Sequence, residues 1–328
     1  MEIIPLTNDL EKEWDTIAIV SPDAWFYHLY DEQRLLDKAW HAISHSFLIE
    51  DNKQIVGICS LQEHMGNPFL FDSTILGPAG IALIPGLDFD KRNEYFEFAY
   101  KHIKNLFPVY NRKACRINIP PLSENSLKSW SIGVHPLLQF GFQDCSTKTA
   151  IIDLRNKSAD DIFKSLRRNH KRNIRKCRDL DMSIKFGDTI DDVKEYYKLH
   201  KKTYERTGVT PHPFSYFEAI HRFFTKKDKA FMIMLFHEDR LLSVANFAYF
   251  RNKVLYWTAA NEAEASKYGA QKYLLWKGIE HAKDTLKADY IEVGEMFDNP
   301  EGKLKGLTQL KSGWGDTHPF WKGLLFGS

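Results

Sequence analysis

The feature that most constrains the fold is a repeated order of patterned segments. In the second half, AFMIMLFHEDRLLSVANFAYF carries β-branched and apolar residues on both sides of a turn at His237 to Arg240, and VLYWTAA follows from Val254 after the short turn RNK. This spells an antiparallel meander. Gln271, Leu275, Ile279, Ala282 and Leu286 then recur at helical spacing, which predicts one apolar stripe along a helix before the strand DYIEVG. The first half offers a similar succession: SFLIEDNKQIVGICSLQ as strand, turn and strand, EYFEFAYKHIKNLF as a helix, ACRINIP as a strand. Each copy ends in a similar tail, LLQFGFQD from Leu137 and LTQLKSGWGD from Leu307. An internal duplication with a join near Asp153 to Ser158 accounts for the pattern, giving domains 1–154 and 155–328.

A strand, a helix and a parallel strand make a crossover, and ligands of such sheets sit beyond the carboxyl ends of the strands, near the helix start. In the second copy that start is NEAEASKYGAQ, with Ser266 as the expected N-cap and free backbone N–H groups suited to an anion or a polarised carbonyl. The expectation is an α/β (α+β) protein of two units, each a mixed, mostly antiparallel sheet flanked by helices.

The totals narrow the function. Of 328 residues 43% are apolar, with 23 Phe, 14 Tyr and 8 Trp, enough for a large core in each unit. Lys and Arg number 45 against 43 acidic residues, so the chain is not a polyanion binder by overall charge. Cys59, Cys115, Cys145 and Cys177 show no paired or zinc-binding spacing, and no metal is expected. The opening MEIIPLTNDLEKEWD lacks the apolar centre of a signal peptide, so a cytoplasmic location is expected.

One local exception is LRRNHKRNIRKCR. Phe163, Leu166, His170, Ile174 and Cys177 form a helical stripe, while Lys164, Arg167, Arg168, Lys171, Arg172, Arg175, Lys176 and Arg178 occupy the remaining circumference. A solvated face is the plain reading. Arg168, Arg172 and Arg175 are the candidates for holding phosphates, and tRNA or an anionic membrane surface are further partners for the same exterior. The run carries no recognition motif for reading DNA bases.

With the doubled unit, the passage from FGFQDCSTKTAIIDL into the basic helix, then HKKTYERTG, YWTAANEAEASKYGAQKYLLWKGIEHAK and GLTQLKSGWG, resembles the Fem-type peptidyltransferases and related bacterial acyltransferases, built from tandem GNAT folds. The likeness covers residues 135 to 320 best. It implies transfer of an acyl or aminoacyl group to a primary amine of a phosphate-bearing precursor of a cell wall or surface glycan. The first unit would shape the acceptor cleft, and the second would carry donor and chemistry. The loop ASKYGAQK departs from the Q/R-x-x-G-x-G/A spacing of acetyl-CoA enzymes, and no long helical arm is evident. An acyl-CoA or other acyl donor is the expected co-substrate, with an aminoacyl-tRNA-dependent peptidyltransferase, or a non-catalytic binder of an anionic partner, as the alternatives.

The resemblance also implies roles. Lys311 stands at the lysine of the terminal motif and would neutralise the oxyanion of a tetrahedral intermediate; a solvated turn lysine is the competing reading. Arg206 falls where the acceptor's phosphates or nucleotide are held, against a helix-end cation, and Tyr204 beside it is a further substrate-binding candidate, against core packing. His28 matches a polar position before a first-unit helix, against a structural histidine. From strand alternation, one of Tyr256 and Trp257 faces the groove and the other packs beneath a helix. Glu292 and Glu295 are placed to reach the groove but read first as edge carboxylates, so no base is assigned. The whole reading requires the strands near Tyr256 and Ile291 to part and open a slot.

Overall fold

The structure is a computed structural model and describes residues 1–74, 77–130, 133–180 and 182–327. The chain forms two units: Met1–Thr147 with Pro319–Ser328, and Lys148–His318.

The first unit runs β1 (Glu2–Pro5), α1 (Glu11–Val20), α2 (Tyr30–Trp40), β2 (Phe47–Asp51), β3 (Gln54–Cys59), β4 (Gln62–Glu63), β5 (Leu70–Asp72), β6 (Ile81–Leu83), α3 (Phe89–Val109), β7 (Ala114–Asn118), α4 (Glu124–Ser129) and β8 (Gln143–Asp144). The expected hairpin forms between β2 and β3, turning at Asn52 and Lys53, both in the left-handed region with φ of 51° and 64°. The helix read from EYFEFAYKHIKNLF is α3, started by Asp88, whose carboxylate accepts the Lys91 N–H at 2.8 Å. Its apolar side buries Tyr100, Ile103 and Phe107 against Phe47, Phe71 and Ile117. Two sheets result, ordered β1-β2-β3-β6 and β4-β5-β7, the latter continued by a strand from the end of the chain and then β8. In the glycine-rich stretch before β6, Ile75 and Leu76 lie outside the described residues, while Gly77 is packed so closely that a Cβ would meet the Tyr27 ring.

The second unit runs β9 (Thr147–Asp153), α5 (Ala159–Ser165), α6 (Arg168–Arg178), β10 (Met182–Gly187), α7 (Ile190–Arg206), α8 (Phe214–Phe223), β11 (Ala230–His237), β12 (Arg240–Phe250), β13 (Lys253–Asn261), α9 (Ala265–Tyr268), α10 (Ala270–Asp284), β14 (Tyr290–Met296), α11 (Gly302–Lys311) and β15 (Asp316–Phe320). The closing strand β16 (Lys322–Phe326) belongs to the first unit. One seven-stranded sheet has the order β10-β11-β12-β13-β14-β9-β15. The meander pairs antiparallel, and β13 and β14 pair parallel across α10, as a crossover requires. Leu275, Ile279 and Ala282 of the helical stripe are buried, and Gly278 leaves the space that the Phe247 ring fills.

Three expectations need correction. The unit boundary falls before the expected join, because β9 pairs with β14; residues 319–328 return to the first unit, because β16 pairs with β7 and β8. The basic helix is not continuous: Leu166 takes an extended conformation that ends α5 and is itself buried, as are His170, Ile174 and Cys177 of α6 after the break. Ser266 is not the N-cap of the crossover helix. It sits within α9, and Gly269, with φ of 77°, opens α10. A Cβ on Gly269 would lie 2.8 Å from Asn173, so glycine is what lets α6 and α10 meet there. Among the described residues no helix is long and apolar enough to cross a membrane.

Candidate active site at the strand fork of the second unit

The pairing described between β13 and β14 consists of Lys253 with Tyr290, Val254 with Ile291 and Leu255 with Glu292. Beyond Leu255 and Glu292 the two strands part. Irregularities on both sides accompany this. Between β12 and β13 the register shifts so that Trp257 is the extra residue, and between β14 and β9 it shifts between Glu292 and Glu295.

These bulges decide where the neighbouring side chains go. Trp257 packs edge-on against Phe224, with ring centroids 5.6 Å apart, and near Tyr216. Tyr256, the first residue past the last pair, packs against Phe247 in the core; burial pushes its hydroxyl up to about 12, with Gln271 of α10 as its polar neighbour. Tyr256 is thus buried in the core, whereas Trp257 packs on Phe224 and Tyr216 and stays partly exposed.

Lys311, the last residue of α11, reaches the opposite strand of the fork. Its ammonium donates to the Glu295 carbonyl at 3.1 Å, beside Gly294. Gly294 has φ of 89°, and a Cβ there would come within 2.9 Å of Lys311 Nζ, so both the backbone turn and the lysine's position require glycine. Glu292 lies in the same group, 4% exposed. Its Oε1 accepts from the Thr149 hydroxyl of β9 at 2.7 Å. Burial pushes the Glu292 carboxyl up to about 7, partly opposed by the Thr149 hydrogen bond and the Lys311 charge. Burial also pulls the Lys311 ammonium below its ordinary range, opposed by Glu292 and Glu295. A carboxyl that changes charge near neutrality and a cation whose N–H donors meet no second acceptor among the described residues thus stand at one fork.

The terminal motif is fixed from the basic helix. His170 of α6 is buried, which lowers its pKa, and its Nε2 donates to the Ser312 carbonyl, which can only accept, at 2.8 Å. The same ring stacks on Trp314 at 4.6 Å, and Trp314 Nε1 donates to the Leu310 carbonyl at 2.8 Å. Arg167 donates to Ser312 Oγ at 3.1 Å and fills the space a Cβ on Gly313 would need. The residues on either side of Lys311 are therefore held by α6.

The other candidates lie elsewhere in the fold. Arg206 is exposed, and its Nη2 donates to the carbonyl of Asn261, the last residue of β13, at 3.3 Å. Tyr204 is half-buried against His200, with ring centroids 4.0 Å apart, and His200 Nε2 accepts the His212 N–H at 3.0 Å. Arg168, Arg172 and Arg175 are exposed on α6. Arg172 acts on Lys272 of α10, whose pKa is lowered by burial and then by that charge, whereas Arg175 lies over the Phe163 ring. His28, in the first unit, is buried; its Nδ1 accepts the Trp25 N–H at 3.3 Å and closes the turn before α2. A wide cleft of about 520 Å³ between α7 and the β11–β12 turn is lined by Lys202, Glu205, Arg240 and Glu262 among others, and shares no residue with the Lys311 group.

Two members of the fork escaped sequence reasoning. Thr149 gave no signal, because its role comes from pairing across a bulge. His170 was visible as part of a buried stripe, but its grip on Ser312 joins residues 142 positions apart. The edge-carboxylate reading of Glu292 is corrected by its burial.

A family model described as "Acetyltransferase (GNAT) domain" matches residues 164–295. No curated protein matches the chain. Among solved structures, FemX is 14% identical with a TM-score of 0.71, covering 99% of this chain and 97% of its own. A tandem GNAT protein from the clavulanic acid biosynthesis pathway is 10% identical with a TM-score of 0.59, covering 100% and 98%. The C-terminal domain of a putative lysylphosphatidylglycerol synthetase from Agrobacterium fabrum is 11% identical with a TM-score of 0.61, covering 97% and 92%. At these identities the structural likeness establishes the tandem GNAT fold alone.

Proposed function

We propose, on the premise that the protein is an acyltransferase whose second unit is a GNAT domain, that it transfers an acyl or aminoacyl group to a primary amine at the β13–β14 fork. The observation that carries this reading is the Lys311–Glu292–Thr149 group at the point where the strands part. The amine nitrogen attacks the donor carbonyl carbon, and the oxyanion that forms takes the remaining N–H donors of Lys311. Ionised Glu292 accepts the proton that the attacking nitrogen must lose. The tetrahedral centre then collapses, the C–N bond is kept, and the bond to the carrier's sulfur or oxygen breaks, with the proton passing to that leaving group. No covalent enzyme intermediate is needed.

The acceptor we infer is an amine on a phosphate-bearing precursor of a cell wall or surface glycan. The likeness of fold to a putative lysylphosphatidylglycerol synthetase supports the phosphate-bearing character of that acceptor, with Arg206 at the end of β13 as the phosphate contact. The donor is an acyl-CoA or a comparable carrier-linked acyl group. Its phosphates would meet the start of α10, where Lys267, Lys272, Arg172 and Lys176 lie together; Lys176 donates to the Lys267 carbonyl at 2.5 Å. One observation favours a second donor: Asn173 packs directly on Gly269, which crowds that helix start, while the arginines of α6 stay exposed for a longer polyanion such as aminoacyl-tRNA. Incubating the protein with acyl-CoA or aminoacyl-tRNA and amine-bearing nucleotide-linked or lipid-linked precursors, with mass spectrometry of the products, tests this reading. An amide product formed with either donor supports it; hydrolysis of the donor without amide formation contradicts it.

A further inference from the structure

We propose that the first unit contains a binding site for a small organic acid with an apolar body, an acyl or aryl carboxylate, in the cavity beside α3. The order β6, α3, β7 repeats the crossover of the second unit, yet β6 and β7 belong to different sheets, so no ladder closes the gap between them. A cavity of about 300 Å³ lies there. That volume holds roughly ten non-hydrogen atoms and is at the small end of ligand sites.

Its walls and its polar end differ sharply. Phe96, Tyr100 and Phe140 meet one another with centroids 6.1, 5.6 and 5.2 Å apart, and Leu137 and Ile81 complete an apolar surface. The charged groups of the lining are Arg92, Lys128 and Asp23. Asp23 accepts Arg92 Nη2 at 2.8 Å, Asn125 Nδ2 at 2.6 Å and the Leu83 N–H at 3.2 Å, so both of its carboxylate oxygens are engaged. Arg92 is not fully engaged. Its guanidinium lies over Phe96 at 5.3 Å, and among the described residues Nε and Nη1 have no acceptor. A guanidinium joins two carboxylates by its two edges, so the donors left at this end suit an oxyanion and repel an ammonium. Phe89, 69% exposed at the first residue of α3, is a large apolar group at the cavity's lining that no core explains.

The test is independent of any transferase activity. Titration calorimetry of the full chain with octanoate should give saturable one-to-one binding, at least tenfold tighter than with octylamine. Gln139→Trp places an indole at the exposed rim and should abolish binding without touching the core. Arg92→Gln should weaken it about tenfold, in line with loss of a charged hydrogen bond. If Arg92→Gln fails to fold, the rim variant and the amine control still decide. No saturation with octanoate, equal affinity for octylamine, or wild-type binding by Gln139→Trp would overturn the proposal.

Discussion

The two crossovers have the same order of elements and opposite chemistry. In the second unit, β13 and β14 pair for three residues and then part around a buried carboxyl, a hydroxyl and an ammonium. In the first, β6 and β7 lie in separate sheets, and the space beside α3 is walled by aromatic rings with a satisfied aspartate at one end. Topology opens a gap in both. The side chains that bulges and glycines admit to it decide whether the gap can move a proton. Gly294 admits an ammonium to the second fork, whereas the carboxylate at the first cavity, Asp23, is already paired with Arg92.

The comparison breaks most sharply at Lys311. Lys311→Met should lower kcat roughly a hundredfold or more, the usual cost of removing one oxyanion donor, with the far-UV circular dichroism unchanged. An equal rate would leave the two crossovers without the difference drawn between them. Gly294→Ala sharpens the point. A Cβ at φ of 89° and 2.9 Å from Lys311 Nζ should cost stability of about 1–2 kcal/mol and displace the ammonium, with kcat falling more than tenfold. A crystal structure of that variant with Lys311 unmoved would contradict it. His170→Phe keeps the stack on Trp314 but removes the bond to Ser312; kcat should fall about tenfold while KM stays within twofold, because the ring positions Lys311 and touches no substrate. The smallest effect should come from Arg168→Gln, Arg172→Gln and Arg175→Gln combined, read as a severalfold rise in the donor's KM that fades at high salt. A KM unchanged at low salt would make α6 a solvated face.

Much of this was legible in the sequence for local reasons. The hairpin turns at Asn52–Lys53, Glu238–Asp239 and Arg251–Asn252 are set by residues next to one another, and all six have positive φ. The stripe on α10 follows from spacing alone. What could not be read depends on partners distant in the chain. β16 joins the first unit only because β7 and β8 have free edges for it. Leu166 breaks the basic helix although its spacing fits one, and its side chain remains buried through the break. Trp257 is the extra residue of a bulge in the β12–β13 pairing, and alternation within its own strand gives no sign of it. For the candidate site the division is the same. Lys311 was found from its motif, whereas the shifted titration of Glu292 arises from burial by the assembled sheet.

The pH dependence of turnover tests the central claim most directly. A carboxyl pushed from 4.5 to about 7 ionises across neutrality, so kcat should rise with pH through about 7 and level off roughly a unit above it. The same shift means the folded state holds its proton more tightly than the unfolded one, so this group's contribution to stability declines between pH 4.5 and 7 and is constant above. In Glu292→Gln the rising limb in kcat should vanish and the plateau should drop at least tenfold. A Glu292→Gln enzyme that keeps the same limb and plateau would show that the fork's buried carboxyl takes no proton in the reaction.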